Sequence, residues 1–267
     1  MRHVLQPKQE LSARIVGPLG HFGVEQAQPF LAVAAQVVSG KFVLRREAAI
    51  KARLGDAGAG DDCFAVWPTV SDQGFSEETP RPGNNLIRRC TGELPFLANG
   101  GALYGGHGNR IEDCLFRDIS AGCGILISTT FPTSNPDGTI DNNFSGLTTV
   151  QNCRLLRCGG YDHGWTWRGA FELCVDRRSI CGVRINHVRI DDSISDGLRV
   201  VETNVRPEMR ALFDTRLKDV SVTTVGLGKS GSHGLTVTST TQGGLTLVHC
   251  ALADIQNSAT QFRIARR

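Results

Sequence analysis

Two adjacent acids, Asp61 and Asp62, open a short alternating strand in the stretch Gly60-Asp61-Asp62-Cys63-Phe64-Ala65-Val66-Trp67. Paired carboxylates suit the hydrolysis of a glycosidic bond. One must carry a proton to assist departure of the leaving oxygen, while another is ionised to activate water or attack carbon. Crowding two acids raises the pKa of one of them, which helps create that division. An Asp-Asp pair alone equally describes a solvated turn or a strand-start cap, so its surroundings decide. Every tryptophan (Trp67, Trp165, Trp167) and both tyrosines (Tyr104, Tyr161) fall between positions 67 and 167. Aromatic faces cover the apolar face of a pyranose, and their N–H and O–H groups meet its hydroxyls. Any one of these rings is equally suited to packing a loop, but as a set beside paired acids they favour a carbohydrate cleft. His107, in Tyr104-Gly105-Gly106-His107-Gly108-Asn109, and His163 are candidates to orient carboxylates or hold hydroxyls, although surface histidines usually do neither.

The elements that must position these residues come from an internal repeat. An apolar-x-x-apolar-x-apolar unit recurs at Ile111/Cys114/Phe116, Val150/Cys153/Leu155, Ile185/Val188/Ile190, Leu217/Val220/Val222 and Leu247/Cys250/Leu252, with a weaker copy at Ile87/Cys90. Subtracting successive first positions gives spacings of 24, 39, 35, 32 and 30 residues, which means loops of variable length hung on a fixed coil. Each unit is followed by a second strand: Gly124–Ile127, Ala170–Leu173, Gly197–Val200, Gly234–Val237 and Gln261–Ile264. These strands alternate apolar with polar, the period of two expected when one face points to a core. Helical spacing is nearly absent, and the 31 glycines join Asn and Asp at corners. The pattern predicts an all-β fold, a parallel β-helix built as a single-stranded solenoid over residues 58–267. Asp61 and Asp62 precede a strand of the second type, and the loop Gly159–Arg168 occupies the equivalent turn before Ala170. By coil count the two turns are three steps apart, roughly 14 Å at the usual strand spacing.

Residues 1–57 do not follow the repeat. Ala48-Ala49-Ile50-Lys51-Ala52-Arg53-Leu54 reads as a helix. Two expectations stand side by side: an irregular, partly helical segment that caps the solenoid, or a non-authentic start with true upstream coils missing.

Composition removes several classes. The balance of 29 Lys+Arg against 26 Asp+Glu is only +3, with the basic residues scattered, which argues against a nucleic-acid surface. No apolar run approaches the roughly 18 residues of a membrane span, and the first eight residues lack the apolar core of a secretory signal. Of the nine cysteines, Cys90, Cys114, Cys153 and Cys250 share a repeat position with Val188 and Val220. Interchange with valine describes small buried hydrophobes, hence stacked free thiols. No Cys-x-x-Cys or His-x-x-x-His spacing supports a metal site. No cofactor is expected, and a structural Ca²⁺ ion is not indicated.

The motif Gly60–Trp67, followed by Leu94-Pro95-Phe96-Leu97-Ala98-Asn99, Leu103-Tyr104-Gly105-Gly106, Ile127-Ser128-Thr129-Thr130-Phe131, Gly160-Tyr161-Asp162 and Gly164-Trp165-Thr166-Trp167, resembles glycoside hydrolase family 87, the α-1,3-glucanases (mutanases) and mycodextranase. The likeness covers about residues 58 to 265. It implies a right-handed β-helix, an extracellular setting, and endo-hydrolysis of α-1,3-linked glucan with inversion by a chain expected to act as a monomer. The family's tandem acids fall on Asp61 and Asp62; Trp67, Tyr104, His107, Tyr161, Asp162, Trp165 and Trp167 are the candidate substrate-binding residues. A further catalytic Asp of the family belongs near Val38, where Gln36-Val37-Val38-Ser39-Gly40 offers none, which leaves either a truncated, inactive relative or another acid in that role. Two other readings stay open: a non-catalytic glucan-binding solenoid, and a β-helix polysaccharide lyase, which needs a base to abstract a proton and often Ca²⁺.

Overall fold

The structure is a computed structural model that describes residues 61–66, 83–95, 97–131, 144–203 and 210–267. Trp67, the segment 1–57 and the stretch around Val38 lie outside the described residues.

Within them every regular element is a strand, and the strands stack into three parallel sheets of seven, seven and five, with a small sheet of two beside them. The first sheet stacks Leu86–Arg88, Arg110–Glu112, Thr148–Gln151, Ile180–Asn186, Leu212–Lys218, Gln242–Val248 and Gln261–Arg266. The second stacks Thr91–Glu93, Leu115–Ile119, Arg154–Cys158, Arg189–Asp191 and Ser221–Val222. The third stacks Phe64–Val66, Gly101–Leu103, Ile125–Ser128, Phe171–Val175, Leu198–Glu202, Leu235–Val237 and Ile255–Asn257. The chain visits first, second and third sheet in turn, so each coil is one circuit of a parallel β-helix, as the repeat predicts.

The register is the one the repeat implies. Ile111 pairs with Val150, Val150 with Ile185, Ile185 with Leu217, and Leu217 with Leu247. Ile111, Val150, Ile185 and Leu217 have no solvent-accessible surface, and truncating such a side chain to Ala costs about 2–5 kcal/mol. Phe64 and Phe116 meet edge to face across the core, ring centroids 6.3 Å apart.

The repeated triplet differs from its reading as one short strand. Each triplet straddles a corner between the first and second sheets. Arg89, Asp113, Asn152, His187, Asp219 and His249 occupy that corner in successive coils, every one in the left-handed region with φ between 50° and 55°. A single left-handed residue turns the chain sharply while its neighbours on both sides point inward. Asn, Asp and His tolerate the conformation better than most residues, which is why that position is polar.

A second difference concerns Gln261–Arg266. Its alternation matches the second strand of a coil, but it pairs with Gln242–Val248 in the first sheet. The last member of the third sheet is Ile255–Asn257, paired with Leu235–Val237. The other strands assigned to that series, at Ile125, Phe171, Leu198 and Leu235, are stacked in register as expected.

All nine cysteines are free thiols. Backbone N–H groups of Leu115, Arg154, Arg189, Ser221 and Ala251 donate to the carbonyls of Cys90, Cys114, Cys153, Val188 and Val220, so cysteine and valine do share one inward-facing column. Burial pushes the Cys158 thiol up to about 12.

Candidate functional site

Asp61 and Asp62 stand where the second sheet hands over to the third, just before Phe64–Val66. Asp61 is exposed and Asp62 is buried. The backbone N–H of Asp62 donates to Asp61 Oδ1 at 2.9 Å, which holds the Asp61 carboxyl against the Asp62 backbone. Asp62 Oδ1 accepts from the backbone N–H of Asn99 at 2.9 Å and from its Nδ2 at 2.7 Å; Oδ2 accepts from the Tyr104 hydroxyl at 2.9 Å. Asn99 Oδ1 in turn accepts from the backbone N–H of Cys123 at 2.8 Å. The corner is therefore a polar ladder of three coils, with Asp62 as its first rung.

Two opposing effects set the protonation of Asp62. Burial disfavours its charged form and the nearby Asp61 charge adds to that; the donors from Asn99 and Tyr104 oppose both. Burial wins, and the carboxyl is raised from 3.8 to about 6. Tyr104 is itself pushed well above the usual phenol range by burial and then by the Asp62 charge, so it remains a donor. Its ring packs edge to face on Phe131 at 4.8 Å. Tyr104 thus touches the acid, although the sequence offers it as a sugar-binding ring.

The loop before Phe171–Val175 is a tight hairpin. Tyr161 and Trp167 form an antiparallel bridge, and the Asp162 and Trp165 N–H groups donate to the Thr166 and Asp162 carbonyls at 3.0 Å each. Asp162 Oδ1 accepts from Thr166 N–H at 3.0 Å and its Oδ2 pairs with Arg168 Nε at 2.5 Å. Arg168 also reaches Glu172 Oε1 at 2.6 Å, and the Glu172 side chain has no accessible surface. Arg199 completes the mount, donating to the Trp167 carbonyl and standing 3.6 Å from Glu172 and 3.4 Å from Asp196. Asp162, a candidate for holding substrate, is buried with both oxygens engaged in this mount.

Two of the three rings of the hairpin face outward, while Trp167 is half-buried. Trp165 is 81% exposed and Tyr161 42% exposed. Tyr161 lies 6.1 Å from Trp165 and 5.1 Å from Trp167 between ring centroids. The hairpin also leans back along the stack: His163 Nδ1 donates to the Leu97 carbonyl at 3.2 Å, two residues before the Asn99 that holds Asp62. The base of the loop is three coils from the acids, as the spacing predicts, while its tip reaches the adjoining coil.

His107 stands elsewhere. It belongs to the small strand Gly106–His107 on the connection from third to first sheet, 3.4 Å from Asn84 Nδ2, and the structure does not bring it to the acid corner. Asn99, Arg168 and Glu172 carry no role in the sequence reading. Asn99 had a signal, since it lies in register with Asp62 one coil on; Glu172 had one too, an acid in the middle of the apolar strand Phe171–Val175. Among the described residues no group of His, Cys, Asp and Glu is arranged to hold a metal ion.

No protein-family model matches the chain, and no curated protein matches it by sequence. Solved structures do. The Agl-KA catalytic domain aligns over 78% of this chain and 36% of its own, at 20% identity and a TM-score of 0.63. The catalytic unit of a thermostable GH87 α-1,3-glucanase from Streptomyces thermodiastaticus aligns over 78% of this chain and 34% of its own, at 21% identity and a TM-score of 0.55. A substituted GH87 α-1,3-glucanase catalytic domain solved with tetrasaccharides aligns over 79% and 39%, at 18% identity and a TM-score of 0.56. This chain therefore spans little more than a third of those solved chains, and at these identities the likeness is one of fold.

Proposed function

We propose that the chain belongs to glycoside hydrolase family 87 and hydrolyses α-1,3-linked glucan by endo attack with inversion, using Asp61 and Asp62. The observation that carries the proposal is the corner itself: a tandem acid pair with one member buried, on the same flank as an outward-facing aromatic hairpin. The three groups reaching Asp62 all act as donors and pull against burial, so the carboxyl, although raised to about 6, is ionised at neutral pH. Asp62 is thus the carboxylate that takes a proton from water. Asp61, exposed beside it, supplies the second carboxyl, whose proton goes to the departing glycosidic oxygen as the oxygen of water bonds the anomeric carbon. Fold likeness to GH87 α-1,3-glucanase domains supports the choice of substrate.

Release of reducing sugar from α-1,3-glucan is the test, with Asp61→Asn and Asp62→Asn each expected to lose it. A wild-type chain that releases nothing from any α-glucan ends the hydrolytic reading. One observation favours a second reading, binding without turnover: both Asp62 oxygens already accept hydrogen bonds inside the corner ladder, as a purely structural carboxylate would. Retention on intact glucan without sugar release is its signature.

A further inference from the structure

Trp165 combines two features that folding alone does not reward. Its side chain is 81% exposed, leaving a large apolar ring in water, and its backbone sits at φ 60°, in the left-handed region that bulky residues avoid. Such a residue persists where its surroundings over-determine it, and here they do. Trp165 N–H is held by the Asp162 carbonyl, Asp162 is locked to Arg168, and Arg168 is locked to the fully buried Glu172. The ring is therefore mounted rather than loose, and a rigid mount lowers the ordering cost of binding. Tyr161 meets Trp165 at an interplanar angle of 73°, an edge contact that leaves a broad ring surface uncovered.

We infer that the hairpin Tyr161–Trp167 is an anchoring surface for a neutral polysaccharide, gripping the flat face of a hexopyranose on Trp165 beyond the sugars at the acid corner. Three observations name this occupant. A flat, fixed, exposed indole complements the apolar face of a sugar ring. The charges under the hairpin are two guanidinium groups, Arg168 and Arg199, against three carboxylates, Asp162, Glu172 and Asp196, a set with one negative charge in formal excess that does not favour an anionic polymer such as a polyuronate. The hairpin tip touches the coil of Asn99 through His163, so a chain lying along this flank passes from the acids to the rings. Identification of the polymer as α-1,3-glucan rests on the proposed function; the neutral-sugar platform does not.

The experiment measures retention on insoluble α-1,3-glucan of the full chain carrying Asp61→Asn and Asp62→Asn, with and without Trp165→Ala. Removing the ring is expected to weaken retention about tenfold, the loss of one good stacking contact, and Trp165→Phe to restore part of it. Because the ring is exposed, the thermal midpoint of the Trp165→Ala chain is expected to stay put, which separates lost binding from lost folding. Equal retention with and without Trp165 overturns the inference, as does Trp165-dependent retention on polygalacturonate as strong as on the glucan. If the wild-type chain releases no sugar yet Trp165 still governs retention, the hydrolytic proposal falls and the anchor stands.

Discussion

Replacing Asp62 by Asn isolates the electrostatic cost of the corner. The amide keeps the carboxyl's shape; its oxygen still accepts from Asn99, and its NH₂ faces the Tyr104 hydroxyl, which turns from donor to acceptor. What disappears is the buried charge. The wild-type carboxyl is raised from 3.8 to about 6 chiefly by burial, and because the folded chain holds its proton more tightly than the unfolded chain, stability falls as pH rises between those values. Below 3.8 both states are protonated and the charge costs nothing; above about 6 the folded state carries a buried carboxylate and the cost is complete. At ~1.4 kcal/mol per pH unit the penalty amounts to about 3 kcal/mol. The difference in unfolding free energy between Asp62→Asn and wild type should therefore shift by about 3 kcal/mol in favour of the variant from about pH 3.5 to about pH 7.5. Urea unfolding at a series of pH values measures it, with all other titrating groups common to both chains cancelling in the difference. A difference that stays constant across the range would refute the argument, since it would mean that Asp62 ionises in the folded chain as it does in water.

Two further outcomes follow from the same contacts. Tyr104→Phe removes a donor to Asp62 Oδ2 while keeping the ring on Phe131; the Asp62 carboxyl rises further, and the acid limb of glucan hydrolysis moves up by about one pH unit. An unmoved limb in the pH profile of sugar release would remove Asp62 from the role of base. Arg168→Ala strips the shared partner from Asp162 and Glu172, both buried, and is expected to cost about 3 kcal/mol by denaturant unfolding; a loss well under 1 kcal/mol would mean that the hairpin mount is decorative.

The solenoid was legible in the sequence because its determinants are periodic. Ile111, Val150, Ile185 and Leu217 announce their stacking by type and spacing alone, and the exchange of Cys153 for Val188 and Val220 discloses a buried column of small side chains. The three-sheet cross-section was hidden, since a left-handed corner at Asp113 or Asn152 leaves no break in hydrophobic pattern. Gln261–Arg266 was misplaced for a related reason: alternation says that a strand has one buried face, never which sheet it joins. At the site, the acids and rings were visible as residue types, while their relations were not. Tyr104 bonding back to Asp62, and the hairpin leaning toward Leu97, depend on contacts between residues 42 and 66 positions apart, beyond any local signal.

The corner between first and second sheets has the same length in every coil, whereas the other connections differ widely. Arg89, Asp113, Asn152, His187, Asp219 and His249 therefore mark points at which a whole turn of the spiral can be added or removed with the neighbouring turns closing up in step. A scaffold built this way can gain or lose coils in discrete increments, and with them the length of the flank that carries Asp61, Asp62 and the hairpin.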